Sequence, residues 1–234
     1  MSRFFWRMVG AAIVATLILT GCGGDKGPTA PTPAPAPAPA TPIPAPPPPA
    51  PTASLSGLSD GAKTYVLANL ASAGGAILRW ADRAQLRFYI DPRFGLTAGP
   101  AAVAFWAPRL PKLSLSLVAS ASDANFILDM EPPAGLSATG CGREGPEKID
   151  NWLILSAVGH YAFLSKAECA KLESQYASAL GHGIGHGVGL WIHTPSEEGK
   201  VDVMGYPAGP LISFPLLKEV VAWWYAQTPG ARVQ

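Results

Sequence analysis

The sequence predicts an α+β domain: a mixed β-sheet, then a histidine-bearing helix, a methionine-bearing turn and a closing helix. Three observations carry this. Short β-rich segments with period-two alternation recur from residue 86 to residue 163. Beyond residue 165 the apolar spacing becomes helical, and a final apolar stretch is stopped by Pro229. Between the two helical stretches lie three of the chain's four histidines, at 182, 186 and 193.

The first 21 residues have the make-up of an export signal. Arg3 and Arg7 form a basic start, and Met8 to Leu19 form an apolar segment too short to span a bilayer. The segment ends in Leu19-Thr-Gly-Cys22, which resembles the lipobox of bacterial lipoproteins. That resemblance implies cleavage before Cys22, acylation of its thiol and a lipid anchor in the cell envelope. Gly23 in place of Asp points to the outer membrane in a Gram-negative cell. Residues 22–52 then form a linker, almost wholly Pro, Ala and Thr from residue 28. Such a tract has no core to bury and favours extended polyproline II, a spacer between anchor and domain.

Residues 53–234 are enough for one domain with its own core. Its strands are expected at Leu86–Ile90, Leu113–Val118, Asn125–Met130, Trp152–Leu155 and Val158–Phe163, with a short helix over Gly99–Trp106. Pro132 to Gly145 reads as loop. Ser165-Lys-Ala-Glu168 has the form of a capping box and is expected to open a helix running through Leu172, Tyr176 and Leu180 to the histidines. Phe214–Ala226 reads as the closing helix. Cys141 and Cys169, an even pair in an exported chain, form a candidate disulfide. Seventeen basic and sixteen acidic residues nearly balance, and no basic stripe suggests a nucleic-acid partner.

The chemistry centres on His182-Gly-Ile-Gly-His186-Gly-Val-Gly189-Leu-Trp-Ile-His193. Residues four apart share a helix face, so His182 and His186 can hold one ion together. Gly189 lets the chain turn back and bring His193. Three protein nitrogens with a fourth position open suit catalytic zinc. Glycine at every odd position from 181 to 189 also fits a strand or loop. Inside a helix each glycine costs roughly 0.8–1 kcal/mol, against zinc binding on the order of 10 kcal/mol or more. Helix is therefore the expectation.

This stretch, with Asp202-Val-Met204-Gly-Tyr206-Pro207 after it, resembles the metzincin metallopeptidases, in particular bacterial matrixin-like sequences. His182, His186 and Gly189 match the family motif, and His193 falls one residue late. The resemblance implies a twisted mixed sheet, zinc on His182, His186 and His193, a Met-turn at Met204, and Tyr206 as a candidate beside the metal. Gly183 departs from the pattern, because the family carries its general-base Glu there. Zinc binding is therefore expected with impaired catalysis, the domain binding peptides or proteins, and a glutamate at 183 would restore the base. One alternative is an active endopeptidase with a substitute base, with Glu197, Glu198 and Asp202 as candidates, although these read first as solvated loop charges. A second alternative is a metal-free structural domain of the envelope. His160, in an apolar run, reads as a strand residue.

Overall fold

A computed structural model describes residues 49–130, 141–164, 167–196, 200–205 and 209–233. The export signal, Cys22 and nearly all of the linker lie outside the described residues, as do Ser165, Glu197, Glu198 and Tyr206. No helix among the described residues is long and apolar enough to cross a membrane.

The main sheet has five strands: β2 (Gln85–Ile90), β3 (Ser114–Leu117), β4 (Phe126–Asp129), β5 (Gly142–Asp150) and β6 (Leu153–Tyr161), in the order β3-β2-β4-β6-β5. The first four in that order are mutually parallel, and β5 runs antiparallel along the edge. Phe88, Phe126 and Leu128 are fully buried beneath the helices. A two-residue strand β1 (Thr52–Ala53) pairs in parallel with β7 (Arg232–Val233), which joins the start of the domain to its end. The helices are α1 (Asp60–Ser72), α2 (Gly95–Trp106), α3 (Tyr176–Gly187) and α4 (Pro215–Ala226).

Three elements differ from expectation. The segment read as loop up to Gly145 becomes strand from Gly142 onward. Its composition (Gly142, Gly145, Pro146) gives no β signal of its own. It pairs because β6 is strongly β-forming and the intervening Asn151-Trp152 turn, with φ of 44° and 66°, closes a tight hairpin. Pro146 sits at an edge bulge, where it removes no essential ladder bond. The two strand pieces expected over 152–155 and 158–163 are one strand, Leu153–Tyr161. The third difference is the start of α3. Residues 167–175 hold two 3-10 turns, and the helix begins only at Tyr176. Cys169 is bonded to Cys141, which ties this segment to the start of β5, and the Leu172 amide donates to the Gln175 side chain at 3.0 Å.

Helix α1 has no counterpart in the sequence reading. Ser59 caps it, accepting from the Ala62 amide at 3.3 Å. Its buried stripe is Ala62, Tyr65, Val66, Asn69 and Leu70, while Leu67 faces outward. A polar residue inside the stripe and a leucine outside it blur the apolar period.

Candidate metal centre

Helix α3 is buried along its whole second half. Its glycines are there because neighbours come too close for a side chain. A Cβ on Gly181 would lie 2.4 Å from Leu211, and one on Gly185 would lie 2.0 Å from the Met204 sulfur. On the opposite face, a Cβ on Gly187 would lie 2.1 Å from Phe126 of β4. The alternation that resembles a strand pattern is therefore two glycine faces of a helix, one against the Met204 turn and one against the sheet. Side chains also satisfy carbonyls at the helix end. Trp80 donates to Gly187, Tyr225 to Val188 and Asn69 to Gly189, at 2.9, 2.9 and 3.0 Å. Gly189 has φ of +103°, and a Cβ there would lie 2.4 Å from the Leu78 carbonyl.

The geometry brings His182, His186 and His193 together, each offering a nitrogen within 4.8 Å of the others. The rings of His182 and His186 are 4.6 Å apart, and that of His193 lies 5.1 and 5.3 Å from them. His182 donates from Nδ1 to the Val203 carbonyl at 2.8 Å, and His186 donates from Nδ1 to the Leu190 carbonyl at 2.6 Å. A carbonyl oxygen only accepts, so the ring protons are fixed on Nδ1. Burial, with the facing histidines adding, pulls the His182 pKa down to about 3 and that of His186 to about 4. Both rings are neutral near pH 7. Their Nε2 atoms, 3.0 Å apart, consequently present two lone pairs to one another. That contact is repulsive unless a cation joins it. Two nitrogens on one tetrahedral zinc, each about 2.0–2.1 Å from it, lie about 3.3–3.4 Å apart. The donor set therefore fits a metal ion.

The turn around Met204 is built by Asp202, which is fully buried rather than solvated. Its carboxylate accepts from the Thr194 hydroxyl, from the Met204 amide at 2.9 Å and from the Phe214 amide at 3.4 Å. With Thr194 donating its amide to the Met204 carbonyl at 3.0 Å, the turn and the residue after His193 form one unit. Asp202 is thereby excluded as a substitute base, since its oxygens are committed to that turn.

Sequence reasoning missed Glu144. It enters from β5, paired opposite Gly159 of β6, with Gly142 opposite Tyr161. Its Oε2 lies 3.8 Å from His182 Nε2 and 3.9 Å from His186 Nε2, with the side chain only 17 % exposed. Neither contact is an ion pair while the rings are neutral. Burial raises the Glu144 pKa to about 7, partly offset by a hydrogen bond with the Tyr161 hydroxyl. Tyr161 is fixed against Phe94 and Phe163, and its hydroxyl also lies 3.1 Å from the Ala179 carbonyl, so its single proton serves the Glu144 carboxylate or that carbonyl in turn. A Cβ on Gly183 would fall 2.0 Å from the Tyr161 hydroxyl and 3.6 Å from the Glu144 carboxyl carbon. The space beside Gly183 is thus filled from the sheet, and the expectation that a glutamate at 183 would simply restore a base fails on sterics. Nothing local in the sequence signals this arrangement.

His160 lies away from the cluster, its Nδ1 2.9 Å from both Asp129 carboxylate oxygens. A cavity of about 490 Å³ opens elsewhere, between Pro108–Lys112 and α4, and holds none of the histidines.

No family model matches the chain, and no curated protein matches it. Among solved structures it is similar to that of myroilysin, a metallopeptidase, at 12 % identity and a TM-score of 0.32, over 51 % of this chain and 55 % of that one. The chain thus spans about half of myroilysin's length.

Proposed function

We propose that this chain is an envelope lipoprotein whose matrixin-like, metzincin-type domain binds one zinc ion through His182, His186 and His193 and engages peptides or proteins. The observation that supports zinc is the convergence of acceptor-only atoms: two proton-free Nε2 lone pairs 3.0 Å apart, with a third imidazole beside them. When bound, zinc acts as a Lewis acid that polarises a carbonyl and makes an attacking water more acidic. The residues around it hold the ligands in register. Val203 and Leu190 fix the ring tautomers, and Met204 closes the floor against Gly185. The lipid anchor rests on the Leu19–Cys22 lipobox and the proline-rich spacer behind it.

Metal analysis of the detergent-solubilised full chain tests the reading. About one zinc per chain is expected, lost in a His182→Ala, His186→Ala double variant. Stoichiometric zinc in that variant, or none in the wild type, rejects the site. Fractionation of the same cells tests the anchor, since Cys22→Ser should leave the chain unprocessed at the lipobox. Normal processing and membrane retention in that variant would remove it.

Whether the domain also cleaves depends on a proton acceptor, and α3 carries none beside His182. On that ground alone catalysis is impaired. The alternative of an active endopeptidase with a substitute base is favoured by one specific observation, the placement of the Glu144 carboxylate.

A further inference from the structure

We infer that Glu144, delivered from the edge strand β5, is the general base of the zinc centre, and that Gly183 is the space this arrangement requires rather than a lost catalytic residue. The inference rests on the zinc reading given above.

A peptidase base must face the metal from the side where the attacking water sits, within reach of that water and behind no other group. Oε2 of Glu144 is nearly equidistant from His182 Nε2 and His186 Nε2, at 3.8 and 3.9 Å, so it looks into the same point as the imidazoles. The separation exceeds the roughly 3.3–3.4 Å expected between two atoms that share one tetrahedral zinc. The oxygen therefore lies beside the metal position without being at a ligand's distance, where it can meet a water bound on the open side. The carboxyl carbon lies 3.6 Å from where a Cβ of residue 183 would begin, so the group occupies the region that a helix-borne carboxylate would reach. The two sources exclude one another. With Tyr161 and Glu144 in place, residue 183 has room only for hydrogen. Pairing with Gly159 in the β5–β6 ladder places Glu144 on a rigid strand, where a catalytic group can be held in a fixed geometry.

The step balances as ordinary hydrolysis. The water oxygen bonds to the acyl carbon of a peptide, and one water proton passes to Oε2 of Glu144. As the C–N bond breaks, that proton moves to the leaving nitrogen, giving a carboxylic acid and an amine. Removing such a base typically costs 10²–10⁴-fold in rate.

The test compares the full chain with Glu144→Gln, using zinc affinity by chelator competition, acetohydroxamate binding to the zinc-loaded proteins, and chelator-sensitive cleavage of casein. Acetohydroxamate needs a neighbouring acceptor for its acidic proton but no cleavage chemistry. The expected result is unchanged zinc stoichiometry, zinc affinity within about threefold, acetohydroxamate binding at least about tenfold weaker, and casein cleavage at least about 100-fold slower. Zinc affinity falling tenfold or more would make Glu144 a ligand and overturn the assignment. Glu144→Gln binding acetohydroxamate as tightly as the wild type, or cleaving casein as fast, would overturn it too and leave the zinc reading intact. Absence of zinc from the wild type would instead bring down the zinc reading.

Discussion

At the scale of single residues, Gly183 sets two effects against each other. Alanine is the better helix former by about 0.8–1 kcal/mol, so in an open helix Gly183→Ala would stabilise. Here the added Cβ would meet the Tyr161 hydroxyl at 2.0 Å, and that ring is wedged against Phe94 and Phe163. Overpacking of a fixed core costs typically about 1–3 kcal/mol and wins. Gly183→Ala should lower the unfolding midpoint, and Gly183→Glu should lower it further without gaining activity. Tyr161→Phe removes the clashing oxygen and leaves the ring carbon at 3.3 Å, a tight but tolerable contact. Gly183→Ala should then be markedly less harmful in a Tyr161→Phe background. Equal losses in the two backgrounds, by thermal unfolding of the metal-free chains, would show that the Tyr161 hydroxyl is not what confines residue 183.

At the scale of elements, the centre is assembled from one local stretch and several distant ones, and that division decides what could be read beforehand. His182, His186, Gly189 and His193 lie in twelve consecutive residues, and helical spacing alone predicts that two of them share a face. Strands β2 and β4 were legible because their alternation faces a real core, and β3 because Leu113 and Leu115 pack partly against it while Leu117 is exposed. Glu144 was not, because its strand exists through pairing with β6 rather than through its own composition. Asn69 was hidden for the related reason that α1 lacks a clean apolar stripe. That residue has a definite task. Fully buried, it donates to the Gly189 carbonyl and accepts from the Trp191 and Ile192 amides, so α1 holds the bend between α3 and His193. Tyr65, one turn earlier, donates to the Ile192 carbonyl at 2.5 Å. Asn69→Ala would leave these backbone groups buried without their partner, at about 1–3 kcal/mol for each left unsatisfied. Because the groups it holds orient a ligand, zinc affinity should also fall about 10–100-fold. Chelator competition measures this, and unchanged affinity in a folded Asn69→Ala chain would show that His193 needs no support from α1.

At the scale of the whole molecule, the buried titratable groups couple metal, proton and fold. His182 and His186 have folded pKa values of about 3 and about 4, below their unfolded value near 6.5. As pH falls from about 6.5, the unfolded chain takes up protons first, so these two rings remove stability until the folded values are reached. Glu144 acts with the opposite sign. Its folded pKa of about 7 lies above its unfolded value, so stability is lost as pH rises from about 4.5 to about 7. Without metal, the chain at pH 8 therefore carries the full cost of a buried carboxylate, up to about 3 kcal/mol. Glu144→Gln should raise the metal-free unfolding midpoint at pH 8, with the gain shrinking towards pH 5. Zinc changes the balance because it binds the neutral rings and favours the ionised carboxylate. At a free concentration about 100-fold over its Kd it should add about 2.7 kcal/mol, or about 6–10 °C in a domain of this size. Near pH 5 the folded rings are still neutral, so they can take zinc without first releasing protons, and the proton cost falls on folding of the metal-free chain instead. The zinc-induced shift in midpoint, measured with and without zinc at a fixed free concentration, should therefore be largely retained from pH 8 to pH 5 and be lost only as pH falls through about 4. A shift already lost at pH 5 would mean that burial does not hold these imidazoles neutral in the folded, metal-free chain.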